Sequence, residues 1–316
     1  MKQELTFSGE VKEELSRHMA EREHCQIAEI AAIISMCGKV VIDSRERYSI
    51  KVRTENVSVA RKYFTLLKKT FNIDTETLVS MNRSKGHITY TVIVKQHEEA
   101  MHVLREIQLI DNDGDISENF SLVRRPCCKR AYLRGAFLGA GSISNPEKSY
   151  HIELVCTNRK QASQLRMLIN GFGLESKVIL RKNSYVVYLK EGSQIVDLLN
   201  IMEAPIALMK MENVRILKEM RNTVNRKVNC ETANINKTVS AAAKQAEDIE
   251  YIEKHIGLGK LPDTLREVAT LRLSNPEASL KELAELSTSG IGKSGINHRL
   301  RKLSEIAEEL RENKEE

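Results

Sequence analysis

The feature that most constrains this chain is an internal repeat with a constant offset of 103 residues. Residues 25–42 (CQIAEIAAIISMCGKVVI) align with residues 128–145 (CKRAYLRGAFLGAGSISN), so that Gly38 falls on Gly141. The segments that follow match within a residue or two. A repeat of this length predicts two copies of one folding unit, each built from several helices and strands.

Each copy alternates between helical and strand-like patterns. In the first copy, Tyr48, Ile50 and Val52 show the period of two that is typical of a half-buried strand. Each half is therefore predicted to run helix, two strands, helix, two strands, helix. Small residues on the first helix of each half predict close packing of those two helices. These residues are Ala28, Ala32, Gly135 and Gly139.

The stretch YLRGAFLGAGSI at 132–143 resembles the signature helix of the LAGLIDADG homing endonucleases, and the duplicated αββαββα plan is similar to their single-chain form. The resemblance implies a divalent metal at the residue before the final glycine of each signature helix. Those two positions hold Cys37 and Ala140. Mg²⁺ prefers carboxylate and other oxygen ligands. We therefore expect the scaffold without its metal, its catalytic residues or its nuclease activity.

Two other acidic sites are alternatives to weigh. A divergent nuclease could use Asp43 or Glu153 instead. The stretch 111–122 (DNDGDISENFSL) has aspartates at calcium-loop spacing, but its sixth and twelfth positions are Ile and Leu where such a loop needs Gly and Glu. Asp111, Asp113 and Asp115 are better interpreted as part of the linker between the repeats.

The sequence GKS at 292–294 ends like a phosphate-binding loop. Such a loop needs a glycine where Ser287 stands, and it must follow a buried strand. The preceding residues instead indicate a helix that begins at an N-cap Ser279, with Glu282 completing a capping box. The segment is therefore predicted to be a helix-turn-helix, with no nucleotide cofactor.

The second helix of this motif has a predicted apolar stripe at Ile296, Leu300, Leu303 and Ala307. Burying that stripe turns a polar, basic face outward, as in a recognition helix that enters the major groove of double-stranded DNA. We expect Asn297 and Arg301 to contact bases, because both can bond a base edge bidentately. The alternative is a basic helix in a bundle. The predicted DNA-binding residues are Lys293, Ser294, Asn297, His298, Arg299, Arg301 and Lys302.

The positive charge of the chain is concentrated in one stretch of the sequence. The net charge is +6, but residues 121–182 contain twelve Lys or Arg and three Glu. This patch is predicted to add non-specific phosphate contacts through Arg124, Arg125, Arg181 and Lys182, although a merely solvated face is an equal alternative.

The spacing of the cysteines and the hydropathy of the chain predict the cellular compartment of the protein. The six cysteines lack C-x-x-C spacing, which favours reduced thiols in the cytoplasm over disulfides or a metal cluster. No apolar run approaches the roughly 20 residues of a membrane span, and the N-terminal stretch is too polar for a signal peptide. No membrane partner is expected.

The stretch 221–237 loses helical periodicity and carries five Asn, which favours a linker or hinge. The predicted domains are a first repeat with an N-terminal helix (1–110), a linker (111–125), a second repeat (126–220), a linker (221–237) and a helix-turn-helix domain (238–316, motif at about 276–309). The predicted fold class is α+β, a duplicated αββαββα domain followed by an all-α domain.

Across nearly its full length the chain resembles the WhiA family of bacterial sporulation-type transcription regulators. NRxxNCETAN at 225–234 and GKSGINHRLRKL at 292–303 carry this resemblance. It implies sequence-specific binding to promoter DNA and links to sporulation, cell division and chromosome segregation. RNA polymerase or another regulator is the protein partner to expect. The alternatives are an active divergent endonuclease and a module that binds protein or RNA.

Overall fold

The computed structural model describes residues 5–81, 88–110 and 121–313. The chain divides into two compact units. The first ends at Lys218 and the second begins at Glu219. The aspartates of the rejected calcium loop lie outside the described residues. Among the helices that are described, none has both the length and the apolar character needed to cross a bilayer.

The first unit contains both repeats and opens with α1 (Phe7–Arg17). The first repeat comprises α2 (Glu23–Cys37), β1 (Gly38–Ile42), β2 (Tyr48–Thr54), α3 (Val57–Phe71), β3 (Glu76–Met81), β4 (Ile88–Val94) and α4 (His97–Glu106). The second comprises α5 (Pro126–Ala140), β5 (Gly141–Ile143), β6 (Ile152–Cys156), α6 (Arg159–Asn170), β7 (Lys177–Arg181), β8 (Ser184–Leu189) and α7 (Gly192–Met202). The predicted αββαββα order is confirmed, and α2 and α5 keep the repeat offset at both ends.

Each repeat forms one antiparallel four-stranded sheet, with strand orders β1-β2-β4-β3 and β5-β6-β8-β7. The alternation in β2 has the predicted effect, because Ile50 and Val52 are buried while Lys51 and Arg53 are exposed. Val52 pairs with Val92 on β4, so the apolar face continues across the sheet. One apolar core runs through both repeats.

Helices α2 and α5 pack against each other more closely than ordinary side chains allow. A Cβ on Gly135 would lie 2.5 Å from the carbonyl oxygen of Glu29 and 2.9 Å from the Cβ of Ala32. A Cβ on Gly139 would lie 2.9 Å from the Cβ of Met36. The predicted role of these glycines in close packing is therefore confirmed.

A buried charge network joins the two repeats. The Glu29 carboxylate on α2 is fully buried and accepts from Arg134 Nη2 on α5 at 3.1 Å. Its other oxygen lies 3.2 Å from Lys62 Nζ on α3. Arg134 also pairs with Glu203, which in turn is 2.9 Å from His18 Nε2. Because each buried charge has an opposite charge beside it, the network can stay ionised out of water.

The sequence favoured a linker or hinge at 221–237, but the helix continues through these residues. These residues lie inside α8 (Pro205–His255), a single helix of 51 residues. Every residue from 219 to 241 is exposed, and a helical stretch that buries no face needs no apolar residues at helical spacing. Thr223 and Thr238 donate to carbonyl oxygens one turn earlier, at 2.9 and 3.0 Å.

The second unit is helical, as predicted. After a short 3₁₀ turn at Leu258–Lys260 come α9 (Asp263–Ser274), α10 (Leu280–Leu286) and α11 (Lys293–Glu312). The end of α8 and these three helices share an apolar core. Its members include Ile249, Ile252, Leu265, Val268, Leu283, Ile296, Leu300 and Leu303.

Candidate nucleic-acid interface

A turn at 287–292 joins α10 to α11. The capping box at the start of α10 is present, with Glu282 N donating to Ser279 Oγ at 3.3 Å and Ser279 N donating to the Glu282 carboxylate at 2.7 Å. Gly290 has a φ of +65°, in the left-handed region that favours glycine, and Gly292 is the N-cap of α11. A helix therefore precedes GKS, in the place where a phosphate-binding loop would need a strand.

Glu267 on α9 holds this turn in place. Its carboxylate accepts from the hydroxyls of Ser287 and Thr288, each at 3.0 Å, and from the backbone N–H and hydroxyl of Ser289. The Ser289 hydroxyl, together with the other donors, lowers the pKa of Glu267 to about 2. The turn that presents α11 is thus anchored to a neighbouring helix through one side chain.

The exposed face of α11 carries five of the seven residues that are predicted to bind DNA. The apolar stripe is buried at all four predicted positions: Ile296, Leu300, Leu303 and Ala307. Asn297 is half-buried on the rim of the opposite face. Arg299 is also half-buried, and its Nη1 has no hydrogen-bond partner within the described residues. Five predicted contact residues are exposed: Lys293, Ser294, His298, Arg301 and Lys302.

The basic patch at 121–182 is weaker on the surface than its sequence suggests. Arg134 belongs to the buried network, so its charge is not available to a ligand. Arg181 makes a two-pronged pair with Glu153, at 3.1 and 3.2 Å. Arg124 and Arg125, just before α5, are exposed, as is Lys182 in the β7–β8 turn.

The two positions where the resemblance implies a metal lie at the C-terminal ends of α2 and α5. Cys37 ends α2 with its Sγ donating to the Ile33 carbonyl oxygen at 3.3 Å, and Ala140 ends α5. Burial raises the pKa of the Cys37 thiol to about 11, so the thiol is neutral at physiological pH. A neutral thiol and a methyl group offer no oxygen to a hard cation.

The alternative carboxylates both have protein partners. Asp43 Oδ1 accepts from the backbone N–H groups of Arg45 and Arg47, and its Oδ2 accepts from the Arg47 side chain at 2.9 Å. Hydrogen bonds from Arg47 hold the pKa of Asp43 below its ordinary value. Glu153 is bound by Arg181 and lies 3.1 Å from His151 Nε2. Each carboxylate is accounted for by the turn or strand that carries it.

Sequence reasoning missed two groups. Glu267 acts on residues about twenty positions away, and no motif marks such a contact. The second group is a cluster of His24, Cys25, Cys127 and Cys128 at the start of α2 and α5. The alignment of Cys25 with Cys128 in the repeat is the sequence feature that could have indicated this cluster.

Three family models match the chain in order. A "WhiA N-terminal LAGLIDADG-like domain" matches residues 23–110, a "WhiA LAGLIDADG-like domain" matches 129–221, and a "WhiA C-terminal HTH domain" matches 224–307. They agree with the two repeats and the helical unit described above.

Full-length relatives give the same result. A "Probable cell division protein WhiA" of Lachnoclostridium phytofermentans is 53% identical over 98% of this chain and 100% of the relative. One from Alkaliphilus oremlandii is 50% identical over 98% of this chain and 99% of the relative. The crystal structure of full-length DUF199/WhiA from "Thermatoga maritima" has 27% identity and a TM-score of 0.60, and the match covers 96% of this chain and 98% of that one. With duplicated LAGLIDADG-like repeats, a helix-turn-helix unit and such relatives, the chain belongs to the WhiA family.

Proposed function

We propose that this protein is a non-catalytic, sequence-specific DNA-binding transcription regulator, and that α11 is the helix that reads the DNA. The observation that carries the proposal is the exposure pattern of α11. Its first three turns expose basic and hydrogen-bonding side chains, and its acids begin only at Glu305. That distribution suits a helix whose N-terminal part enters the major groove.

The roles follow from position on the helix. Lys293 and Ser294 lie in the first turn, where backbone N–H groups and the helix dipole also favour a phosphate. Arg301 is exposed two turns later and can bond the two acceptors of guanine, and Asn297 lies one turn before it on the same face. Lys302 extends the phosphate contacts on one flank. His298 adds a donor beside the bases, while half-buried Arg299 contributes least.

The biological setting is also part of the proposal. The relatives are named probable cell division proteins, and we extend that role to this chain, together with links to sporulation and chromosome segregation. A promoter-binding regulator acts on the nucleoid in the cytoplasm, with RNA polymerase or another regulator as its protein partner.

Titration of variants against two duplexes tests the assignment. A target duplex is first selected from a random pool with the full chain, and Kd is then measured for target and scrambled DNA at fixed salt. Arg301→Ala should reduce the difference in binding free energy between target and scrambled DNA by about 1–3 kcal/mol, because a bidentate base contact is lost. Lys293→Ala should weaken binding to both duplexes in parallel, because a phosphate contact carries no sequence information.

Lys260→Ala is the matched control, since it removes one exposed positive charge from the same unit but not from α11. It should change both affinities less than Lys293→Ala does. If Arg301→Ala and Asn297→Ala, each shown to be folded by circular dichroism, both leave the ratio unchanged, α11 is not the reading helix.

A further inference from the structure

Four side chains of the kind that bind soft metals converge at the N-terminal ends of α2 and α5. Nδ1 of His24 lies 3.2 Å from Sγ of Cys128 and 3.3 Å from Sγ of Cys25. With Cys127 included, the four donor atoms all lie within 4.8 Å of one another. Cys25 and Cys128 are buried, whereas His24 and Cys127 are half-buried, so solvent reaches one side of the cluster.

The cluster is built twice from the same position of the repeat. With the offset of 103, His24 corresponds to Cys127 and Cys25 corresponds to Cys128. Each repeat thus contributes one pair of adjacent donors from the first turn of its first helix. Ala28 and Ala131, also equivalent, form the apolar floor beneath them.

We propose that His24, Cys25, Cys127 and Cys128 bind one Zn²⁺ in a structural, tetrahedral site that ties the two repeats together. Three thiolates and one imidazole are an established structural zinc set. With zinc–ligand bonds of about 2.0–2.3 Å, tetrahedral donors lie roughly 3.6–3.8 Å apart. The observed spacing, from 3.2 Å up to 4.8 Å, brackets that value.

The surroundings suit the charge of the bound site. Zn²⁺ displaces the thiol protons to water, and three thiolates give the complex a net negative charge. The donors lie in the first turn of each helix, where the helix dipole favours negative charge. Arg22 and Arg125 are the N-cap residues of α2 and α5, so each helix also begins with a positive side chain.

This site is distinct from the metal positions of the endonucleases. Those positions, Cys37 and Ala140, lie at the opposite ends of the same two helices. Cys25 and Cys37 are twelve residues apart on α2, which corresponds to about 18 Å along the helix axis. All four donors come from the protein, so the ion has no position for substrate and serves packing rather than cleavage.

The test uses the tag-free full chain, because a histidine tag would itself bind Zn²⁺. Protein expressed with added Zn²⁺ and purified under reducing conditions should retain about one Zn²⁺ per chain by elemental analysis. Cys128→Ser and Cys25→Ser should lose this stoichiometric zinc. Cys230→Ser, which removes an exposed thiol on α8, should retain it. Chelation should lower the Tm of the wild type but not that of Cys128→Ser.

X-ray absorption at the zinc edge provides a measurement that needs no variant, and it should show three sulfur neighbours and one nitrogen neighbour. His24→Ala replaces a half-buried side chain, so it remains informative if the serine variants do not fold, and it too should lose zinc. The proposal fails if the wild type retains no stoichiometric zinc, or if Cys128→Ser retains as much as the wild type. It also fails if peptide mapping finds Cys25 disulfide-bonded to Cys128 and reduction in the presence of Zn²⁺ restores no binding.

Discussion

At the scale of single residues, Glu267 shows how one carboxylate fixes the turn that precedes α11. Four donors from three successive residues of the turn converge on its two oxygens. All four favour the ionised form, which is why the pKa falls to about 2. The turn at 287–289 is therefore coupled to the protonation state of a residue on α9.

We expect this coupling to appear as a pH dependence of stability. A carboxyl whose pKa is lower in the folded state stabilises the fold above its unfolded pKa, and the stabilisation is lost as the pH falls from about 4.5 toward about 2. Glu267→Gln cannot ionise, so the Tm of the second unit should fall less steeply with acidification in this window. Calorimetry at a series of pH values measures the slope. Glu305→Gln, at an exposed position on α11, is the control. If Glu267→Gln shows the same slope of Tm against pH as the wild type, the coupling is refuted.

Some features around α11 could be predicted from the sequence and others could not. The stripe of Ile296 and Leu300 defined the outward face correctly, because one helix period relates every residue on it. Partners distant in sequence, such as Glu267 with Ser289 or Cys25 with Cys128, leave no such period. They become visible only when packing brings two elements together.

At the scale of elements, the seam between α2 and α5 depends on glycines that face a neighbouring backbone. The atom nearest to an added Cβ on Gly135 is the carbonyl oxygen of Glu29, which belongs to the α2 hydrogen-bond ladder. It cannot rotate away as a flexible side chain could. The distance between the helices is therefore set by the glycine itself.

Gly135→Ala should destabilise the first unit in spite of the better helix propensity of alanine. Propensity favours alanine by about 1 kcal/mol, but overpacking a tight core costs about 1–3 kcal/mol, and a contact of 2.5 Å with backbone places this case at the upper end. We expect a net loss of about 1–2 kcal/mol, measured by chemical denaturation of the full chain. Gly259→Ala is the control, because a Cβ there meets no atom within 4 Å. Equal stability of the two variants would show that the seam can relax.

The long helix α8 explains why one element was mispredicted while the others were not. Hydrophobic periodicity reports a buried face, and each helix from α1 to α7 buries one, as do the strands β2, β4, β6 and β8. Residues 219–241 bury no face, so the prediction for this segment rested on its Asn-rich composition alone. Asparagine costs a helix only a few tenths of a kcal/mol per residue, whereas ending and restarting a helix requires a new nucleation.

At the scale of the whole molecule, a LAGLIDADG-like scaffold carries no carboxylate at the two positions where the resemblance to the endonucleases implies a metal. The two helix ends that would hold the metal ions carry a thiol and a methyl group. Asp43 and Glu153 are occupied by arginine and histidine partners. We expect the retained scaffold to serve binding and architecture.

The full chain should therefore not cut DNA. A supercoiled plasmid that carries the selected target, incubated with Mg²⁺ or Mn²⁺, should remain supercoiled at protein concentrations that saturate the site. Gel electrophoresis provides the readout, and a restriction enzyme on the same plasmid is the positive control. Nicking by the wild type that disappears in Asp43→Asn or Glu153→Gln would mean that these carboxylates form a divergent active centre.

The buried network of Glu29, Lys62 and Arg134 has a consequence for self-recognition. The repeat equivalent of Glu29 is Tyr132, and that of Arg134 is Ala31, so neither half carries both members of the Glu29–Arg134 pair. Two first halves pressed together would bury two Glu29 carboxylates with Lys62 but without Arg134. Two second halves would bury two Arg134 guanidinium groups with Glu203 but without Glu29. Leaving a buried charge without its partner is strongly unfavourable. We therefore expect the Glu29–Arg134 pair to favour the association of unlike halves and to disfavour the exchange of repeats between neighbouring copies of the chain.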